Sequence, residues 1–203
     1  SIREEWLADF TPSLSHDRVV WLGKFRRYKC AHHVLLAMKD VLAQVPGARV
    51  TLAGRRDDRR YEEYLRCLSM RLNIEESVEF RFNITEREKM ELLRGARVLV
   101  LSSPVEGFGI VALEANACGV PVVASSGVPQ SVVKHEHNGL RYPFGDIGAL
   151  GVAIARVLRD EQLYSRLGAS SLAFARRFAW HEVGSQFEKL VEVALARRGR
   201  VHD

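Results

Sequence analysis

Residues 98–126 read VLVLSSPVEGFGIVALEANACGVPVVASS. The stretch begins and ends in apolar runs, residues 98–101 and 120–125, each short enough for a buried parallel strand. Between them, residues 102–109 hold Ser102, Ser103, Pro104, Gly107 and Gly109, the composition of a turn-rich loop. Residues 110–118 contain no glycine or proline, and Ile110, Leu113 and Ala117 fall on one helical face. Gly119 stops that helix, and Pro121 follows where a helix would not continue. Strand, loop, helix, turn and strand in this order form the repeating unit of a parallel α/β sheet.

The loop carries the chemistry. A helix starting beside Gly107 and Gly109 offers an anion its unpaired N–H groups and the positive end of its dipole, an attraction of about 0.3–2 kcal/mol. Without a Cβ, glycine lets a phosphate approach that backbone. Glu106 stands before the helix and Glu114 just over one turn inside it. Eight helical residues span about 12 Å, and a bend in the loop shortens the separation. A carboxylate is a poor partner for phosphate and a good acceptor for sugar hydroxyls. Two carboxylates around an anion-binding helix end therefore point to a phosphate flanked by hydroxyl-rich groups, as in a nucleotide-sugar.

Working outward, strands are expected at residues 18–22, 50–53 and 78–82. The first is followed by the basic loop KFRRYK (residues 24–29), the second by GRRDDRR (residues 54–60), whose residues 56–60 read as a solvated mixed-charge run. Residues 31–45 read as a helix turning Val34, Leu35, Met38, Val41 and Leu42 inward. Residues 61–72 read as a second, striped by Tyr61, Tyr64, Leu65 and Leu68. Thr85 and Glu88 make a capping box for a helix over residues 85–94. Residues 135–139 read as a turn, and GLRYPFGD (residues 139–146) as an irregular loop on the ligand side. Asp146 caps a helix at residues 147–159, and helices are expected at 162–177 and 181–198. Residues 1–17 are a lead-in, and residues 18–203 form the domain. Strands alternating with helices predict an α/β, Rossmann-like, doubly wound parallel sheet with right-handed crossovers. Its ligand site lies at the carboxyl ends of the strands, near the topological switch point.

The 203 residues suffice for one well-buried domain. A net charge of +5 and a pI near 9.3 suit an anionic ligand, an acidic membrane surface or a partner domain. The basic residues are dispersed and no aromatic-rich face accompanies them, which argues against nucleic acid. No apolar run approaches about 20 residues, and SIREEWLADF does not read as a signal peptide. A cytoplasmic protein is expected, compatible with the inner face of a membrane and a lipid-linked acceptor. Cys30, Cys67 and Cys118 are scattered and read as reduced, buried thiols. His32, His33, His135, His137 and His181 lack the spacing of a helical metal site and read as packing or surface residues. No Asp-x-Asp cation motif is present, so neither metal nor cofactor is expected.

Glu106, seven intervening residues and Glu114, set within EGFGIVALEANACGVPVVAS, resemble the signature of retaining GT-B glycosyltransferases of the "glycosyl transferases group 1" family (family 4). The resemblance runs from about Arg18 onward and covers the donor-binding half of such an enzyme. It implies one half of a GT-B fold, metal-independent sugar transfer from a nucleotide-diphosphate sugar, and an acceptor-binding N-terminal half absent from this sequence. It implies that Glu106 faces the transferred sugar and steadies positive charge at its anomeric carbon, and that Glu114 accepts from ribose hydroxyls. The backbone of Phe108, Gly109, Ile110 and Val111 would cradle sugar and phosphate. Gly23 with Lys24, and Lys29 five residues on, stand where the family has Gly-Arg and Lys around the donor diphosphate. Lys24 keeps the charge of that arginine and loses its bidentate fork. Ile84 matches the position whose backbone meets the base. Cys30 and Phe82 stand where the family commonly has glycine, and Phe82 is expected to narrow the base pocket. Phe178 and Trp180 resemble an aromatic pair before the closing helix, read as packing. The isolated chain is expected to bind donor and transfer poorly, with exposed apolar surface open to self-association. The competing readings are a non-catalytic nucleotide-sugar- or partner-binding module and a GT-B-fold sugar-nucleotide epimerase.

Overall fold

In the computed structural model, which describes residues 6–7 and 17–178, six parallel strands form one sheet. They are β1 (Arg18–Leu22), β2 (Arg49–Gly54), β3 (Val78–Phe82), β4 (Val98–Leu101), β5 (Val122–Ser125) and β6 (Gly139–Tyr142). The spatial order is β3-β2-β1-β4-β5-β6, so β1 and β4 are neighbours at the switch point. The helices are α1 (Ala31–Gln44), α2 (Arg59–Arg71), α3 (Glu86–Arg94), α4 (Ile110–Ala117), α5 (Ile147–Arg159) and α6 (Glu161–Arg176).

Strand alternation divides the core between the two faces. Val19, Trp21, Val50, Leu52, Val98 and Val100 pack on one side with residues of α1, α2 and α5. Val20, Leu22, Ala53, Leu99 and Leu101 pack on the other with residues of α3 and α4. Both faces are covered, which is why the central strands read as continuous apolar runs.

Helix starts follow the side chains that cap them. Thr85 and Glu88 form the full capping box of α3, and Asp146 accepts from the Ala149 amide at 2.8 Å to open α5. Asp58 caps α2 through the Tyr61 amide at 3.2 Å. Arg56 pairs with Glu62 at 2.9 Å, and Arg26 pairs with Asp57. Residues 56–60 are therefore partly bound into the fold, not merely solvated.

The C-terminal third departs furthest from the sequence-based expectation. Residues 139–142 are a strand, not an irregular loop, and Gly139–Tyr142 pairs in register with Val122–Ser125. Gly139, Arg141 and the following Pro143 give a four-residue edge strand little intrinsic β signal, and pairing with β5 supplies what the composition lacks. β5 itself starts at Val122, because the Val120 amide turns back to the Ala115 carbonyl at 2.9 Å. Two stripes are also corrected: Tyr64 on α2 and Ile110 on α4 face solvent. Cys67 is exposed, not buried. Phe178 packs on Phe174 at a ring separation of 5.2 Å, while Trp180 and the helix expected at residues 181–198 lie outside the described residues.

Candidate functional site

The loops that leave β1 and β4 meet at the switch point, and one buried serine ties them together. The Ser102 hydroxyl accepts from the Trp21 indole at 3.2 Å and lies 3.1 Å from the Lys29 carbonyl and 2.9 Å from that of Cys30. This sets Lys29 against the second loop. Its ammonium donates to Glu106 Oε2 at 2.6 Å, and the same oxygen accepts from the Ser103 hydroxyl at 3.2 Å. Lys29 and Glu106, 77 positions apart in sequence, thus form the wall of a cleft of about 330 Å³. Lys24, Phe108, Gly109, Ile110 and Val111 line the same cleft.

Gly109 is demanded twice over. Its φ of 57° is the left-handed region, and a Cβ there would sit 2.7 Å from Val132 Cγ1. From this residue α4 starts with no side-chain cap, and the amides of Phe108, Gly109, Ile110 and Val111 meet no acceptor among the described residues. That leaves a cluster of N–H donors at the positive end of a helix dipole. Val105, Phe108 and Ile110 stand exposed around it and give the cleft an apolar lip.

A second hollow of about 530 Å³ shares Leu22, Gly23, Lys24 and Val111 with the first and continues over the ends of β2 and β3. Ile84 lines it, as do Asn83, Arg55, Glu86 and Lys89. Gly54 (φ 139°) lets the β1 and β2 ends touch here, since a Cβ would lie 1.9 Å from the Gly23 carbonyl oxygen. Phe82 does not narrow this hollow. It turns away onto Phe25, with ring centroids 4.8 Å apart, and the Arg56 guanidinium covers it at 4.3 Å. Val78, Phe80 and Phe82 alternate onto the α2 face of the sheet, and the left-handed backbone of Asn83 (φ 54°) ends that alternation, so Ile84 turns to the α3 face.

Glu114 lies inside α4, 9% exposed. Its Oε1 accepts from Lys89 Nζ at 2.8 Å, and its Oε2 is buried with no partner among the described residues. An orphaned buried acceptor of this kind costs about 1–3 kcal/mol. Burial raises the carboxyl pKa, and the Lys89 ammonium opposes that rise. Burial likewise works against the Lys89 charge, but its hydrogen bonds to Glu114 and Glu86 outweigh burial and raise its pKa. Lys89 carries no signal of this contact in the sequence. Its spacing from Glu86 hints at an ion pair on one helix, and nothing in the chain order connects it to Glu114.

Cys30 occupies a left-handed position (φ 53°), which explains why glycine suits it. Cys30, His32 and His33 bring potential ligand atoms within 4.8 Å of one another, a grouping their spacing did not announce. The Tyr61 hydroxyl already engages His32 Nδ1 at 2.8 Å. Burial lowers the His32 pKa to about 4, with His33 and Arg27 adding to the effect, so its ring is neutral near pH 7.

The model of the family described as "Glycosyl transferases group 1" matches residues 3–172. The chain belongs to this family. It is 35% identical over 125 residues to a D-inositol 3-phosphate glycosyltransferase of Streptomyces bingchenggensis, covering 61% of this chain and 27% of that protein. It is 31% identical over 186 residues to a phosphatidyl-myo-inositol mannosyltransferase of Mycobacterium leprae, covering 90% of this chain and 48% of that protein. Among solved structures it resembles Anabaena Alr3699/HepE, crystallised with UDP and glucose, at a TM-score of 0.77 and 24% identity over 87% of this chain and 48% of that one. The chain therefore spans less than half the length of these relatives. The structural neighbours are GT-B glycosyltransferases, and the present sheet is the Rossmann-like type expected. No helix among the described residues is long and apolar enough to cross a membrane.

Proposed function

We propose that this chain binds a nucleotide-diphosphate sugar and supplies the donor half of a retaining glycosyltransferase. The observation that carries the reading is the meeting of Lys29 and Glu106 at the uncapped start of α4. One cleft wall then holds a cation, a hydroxyl-accepting carboxylate and free backbone donors side by side.

The chemistry follows from the placement. The diphosphate lies on the α4 amides with Lys29 and Lys24 balancing its charge; Lys29 is freed from Glu106 as the ligand enters. Glu106, released toward the sugar, accepts from its hydroxyls and opposes positive charge growing at the anomeric carbon. Glu114 Oε2 takes a ribose hydroxyl, and the base lies in the hollow lined by Ile84. Leaving-group charge collects on the diphosphate, where the helix end and the lysines stabilise it without a metal. The acceptor comes from a second half facing the apolar lip of Val105, Phe108 and Ile110. Without that half the chain binds donor and transfers poorly, and the lip favours self-association. UDP and glucose in the Anabaena structure, and inositol-containing names among the relatives, support a nucleotide-sugar donor and a polyol or lipid-linked acceptor.

Isothermal titration of the purified chain against nucleoside diphosphates and their sugars, with Glu114→Ala as control, tests this. Saturable binding of one base class, lost in the control, is expected. A folded chain that binds none of them overturns the reading. Turnover of the donor with no acceptor present would instead establish the epimerase.

A further inference from the structure

One cation of the hollow beside Ile84 has no part in the scheme above. Lys89 projects from the first turns of α3 and reaches two carboxylates, Glu114 Oε1 at 2.8 Å and Glu86 Oε2 at 2.9 Å. Its side chain is 17% exposed and that of Glu114 11%, so the pair sits largely out of water. The Trp6 ring lies 5.4 Å from the ammonium. The capping box fixes the start of α3 and with it the height of Lys89 opposite α4.

We propose that Lys89 is the positioning residue of this site: it clamps one oxygen of Glu114 and leaves the other as a preset acceptor for a ligand hydroxyl. This rests on the donor-binding reading and adds a residue that the Glu106–Glu114 signature does not contain. Two observations carry it. The first is the asymmetry of Glu114, with one oxygen held by an ammonium and the other buried without a partner. The second is that Lys89 itself lines the hollow beside Ile84 and Val111. Two of its three N–H donors are spent on carboxylates and the third remains. A buried carboxylate that must accept from a ligand has to be charged and fixed before the ligand arrives. Burial alone would drive Glu114 toward its neutral acid, which would compete as a donor at the same place.

Among the described residues, four charged or titratable groups bear on Glu114. Lys89 and Glu86 come from α3, and the Cys118 thiol lies on the C-terminal side of its own helix, with Arg94 beyond it. Lys89 is the cation among them in contact with the carboxylate. Removing it raises the Glu114 pKa further, because burial and Glu86 then act unopposed.

The test measures the affinity of the 203-residue chain for the nucleoside diphosphate it binds best, between about pH 5 and 8.5. It uses wild type, Lys89→Met, Lys89→Arg and Glu114→Gln, each checked for a cooperative melt. Wild-type affinity is expected to fall on the acid side as Glu114 takes up a proton. In Lys89→Met that fall moves to higher pH, so the loss is about tenfold near pH 7 and shrinks as the pH rises. Lys89→Arg restores the wild-type profile, and Glu114→Gln removes the acid limb. An unchanged profile in Lys89→Met, or a loss of one constant factor at every pH, overturns the positioning role while leaving donor binding standing. Failure of the wild type to bind any nucleotide overturns the donor reading, and this inference with it.

Discussion

Two lysine–carboxylate pairs stand at this edge of the sheet, one on the cleft and one reaching the hollow beside it, and they are built in opposite ways. Lys29 ends a one-turn 3-10 helix (Arg27–Lys29) between β1 and α1, and Glu106 stands on the loop after β4, beside the exposed Val105 and Phe108. Lys89 and Glu114 stand on two helices, and the neighbours of Glu114 on α4, Ala112, Ala115, Asn116 and Ala117, are completely buried. In the first pair a single carboxylate oxygen receives both the ammonium and the Ser103 hydroxyl, and both side chains are about one-fifth exposed. In the second, one oxygen is held and the other is left buried and empty. The loop pair resembles a partly hydrated ion pair, worth about 0–1 kcal/mol, which a charged ligand displaces at little cost. The helix pair cannot rearrange without disturbing the packing of α3 and α4 on the sheet. The difference teaches that the same two residue types make a loosely held pair in one place and a rigidly held one in the other. Burial and backbone support decide which.

The largest effect expected is on chemistry at the loop pair. In the chain joined to an acceptor half, Glu106→Gln lowers kcat by about 10²–10³-fold while nucleoside diphosphate affinity changes little, read by initial rates and titration. Equal losses in both would erase the distinction between the pairs. At the helix pair the expected loss is in binding. Glu114→Gln weakens diphosphate affinity by about 1.5–3 kcal/mol, and the melting temperature of the ligand-free chain near pH 7 stays level or rises. The sign follows from the raised carboxyl pKa: a proton bound more tightly in the folded state makes Glu114 stabilising at low pH, and that contribution is lost as pH rises through the folded pKa. A large drop in melting temperature would mean that the carboxylate is structural. Gly109→Ala, where the two regions join, costs about 1–3 kcal/mol of stability by denaturant unfolding, through the left-handed backbone and the contact with Val132. The smallest effect is at the lip. Phe108→Ala, 83% exposed, changes unfolding free energy by less than about 0.5 kcal/mol, and a larger loss would show that the loop is packed more like the helix pair.

How far the site could be read in advance follows the same division. Glu106, Gly109 and Glu114 share one short stretch, and Lys29 sits in the loop after the first strand, so alternation of strands and helices already places them on one edge. Lys89 belongs to a helix whose charge pattern, Glu86, Arg87, Glu88, Lys89, reads as a solvated face. Its role comes from crossing to α4 beneath the cleft. Phe82 departs from expectation for a related reason: its place at the end of β3 is local, but its packing on Phe25, far earlier in the chain, is a contact between distant segments. Ile110 faces solvent because it opens an eight-residue helix at the rim of the cleft, and so short a helix has too few turns for its apolar stripe to set the buried face.

Local chemistry was enough for the order of the elements, the capping of α3 and α5, the parallel sheet and the family signature. Each depends on period, turn residues or hydrogen bonds spanning a few positions, and these are properties of neighbours along the chain. Tertiary structure alone decided that residues 139–142 join the sheet, that Ser102 fastens Lys29 to the β4 loop, and that Lys89 holds one oxygen of Glu114 while the other is buried without a partner among the described residues. Those are contacts between distant segments. Their free energy exists only once burial has removed water and fixed the direction of each polar group.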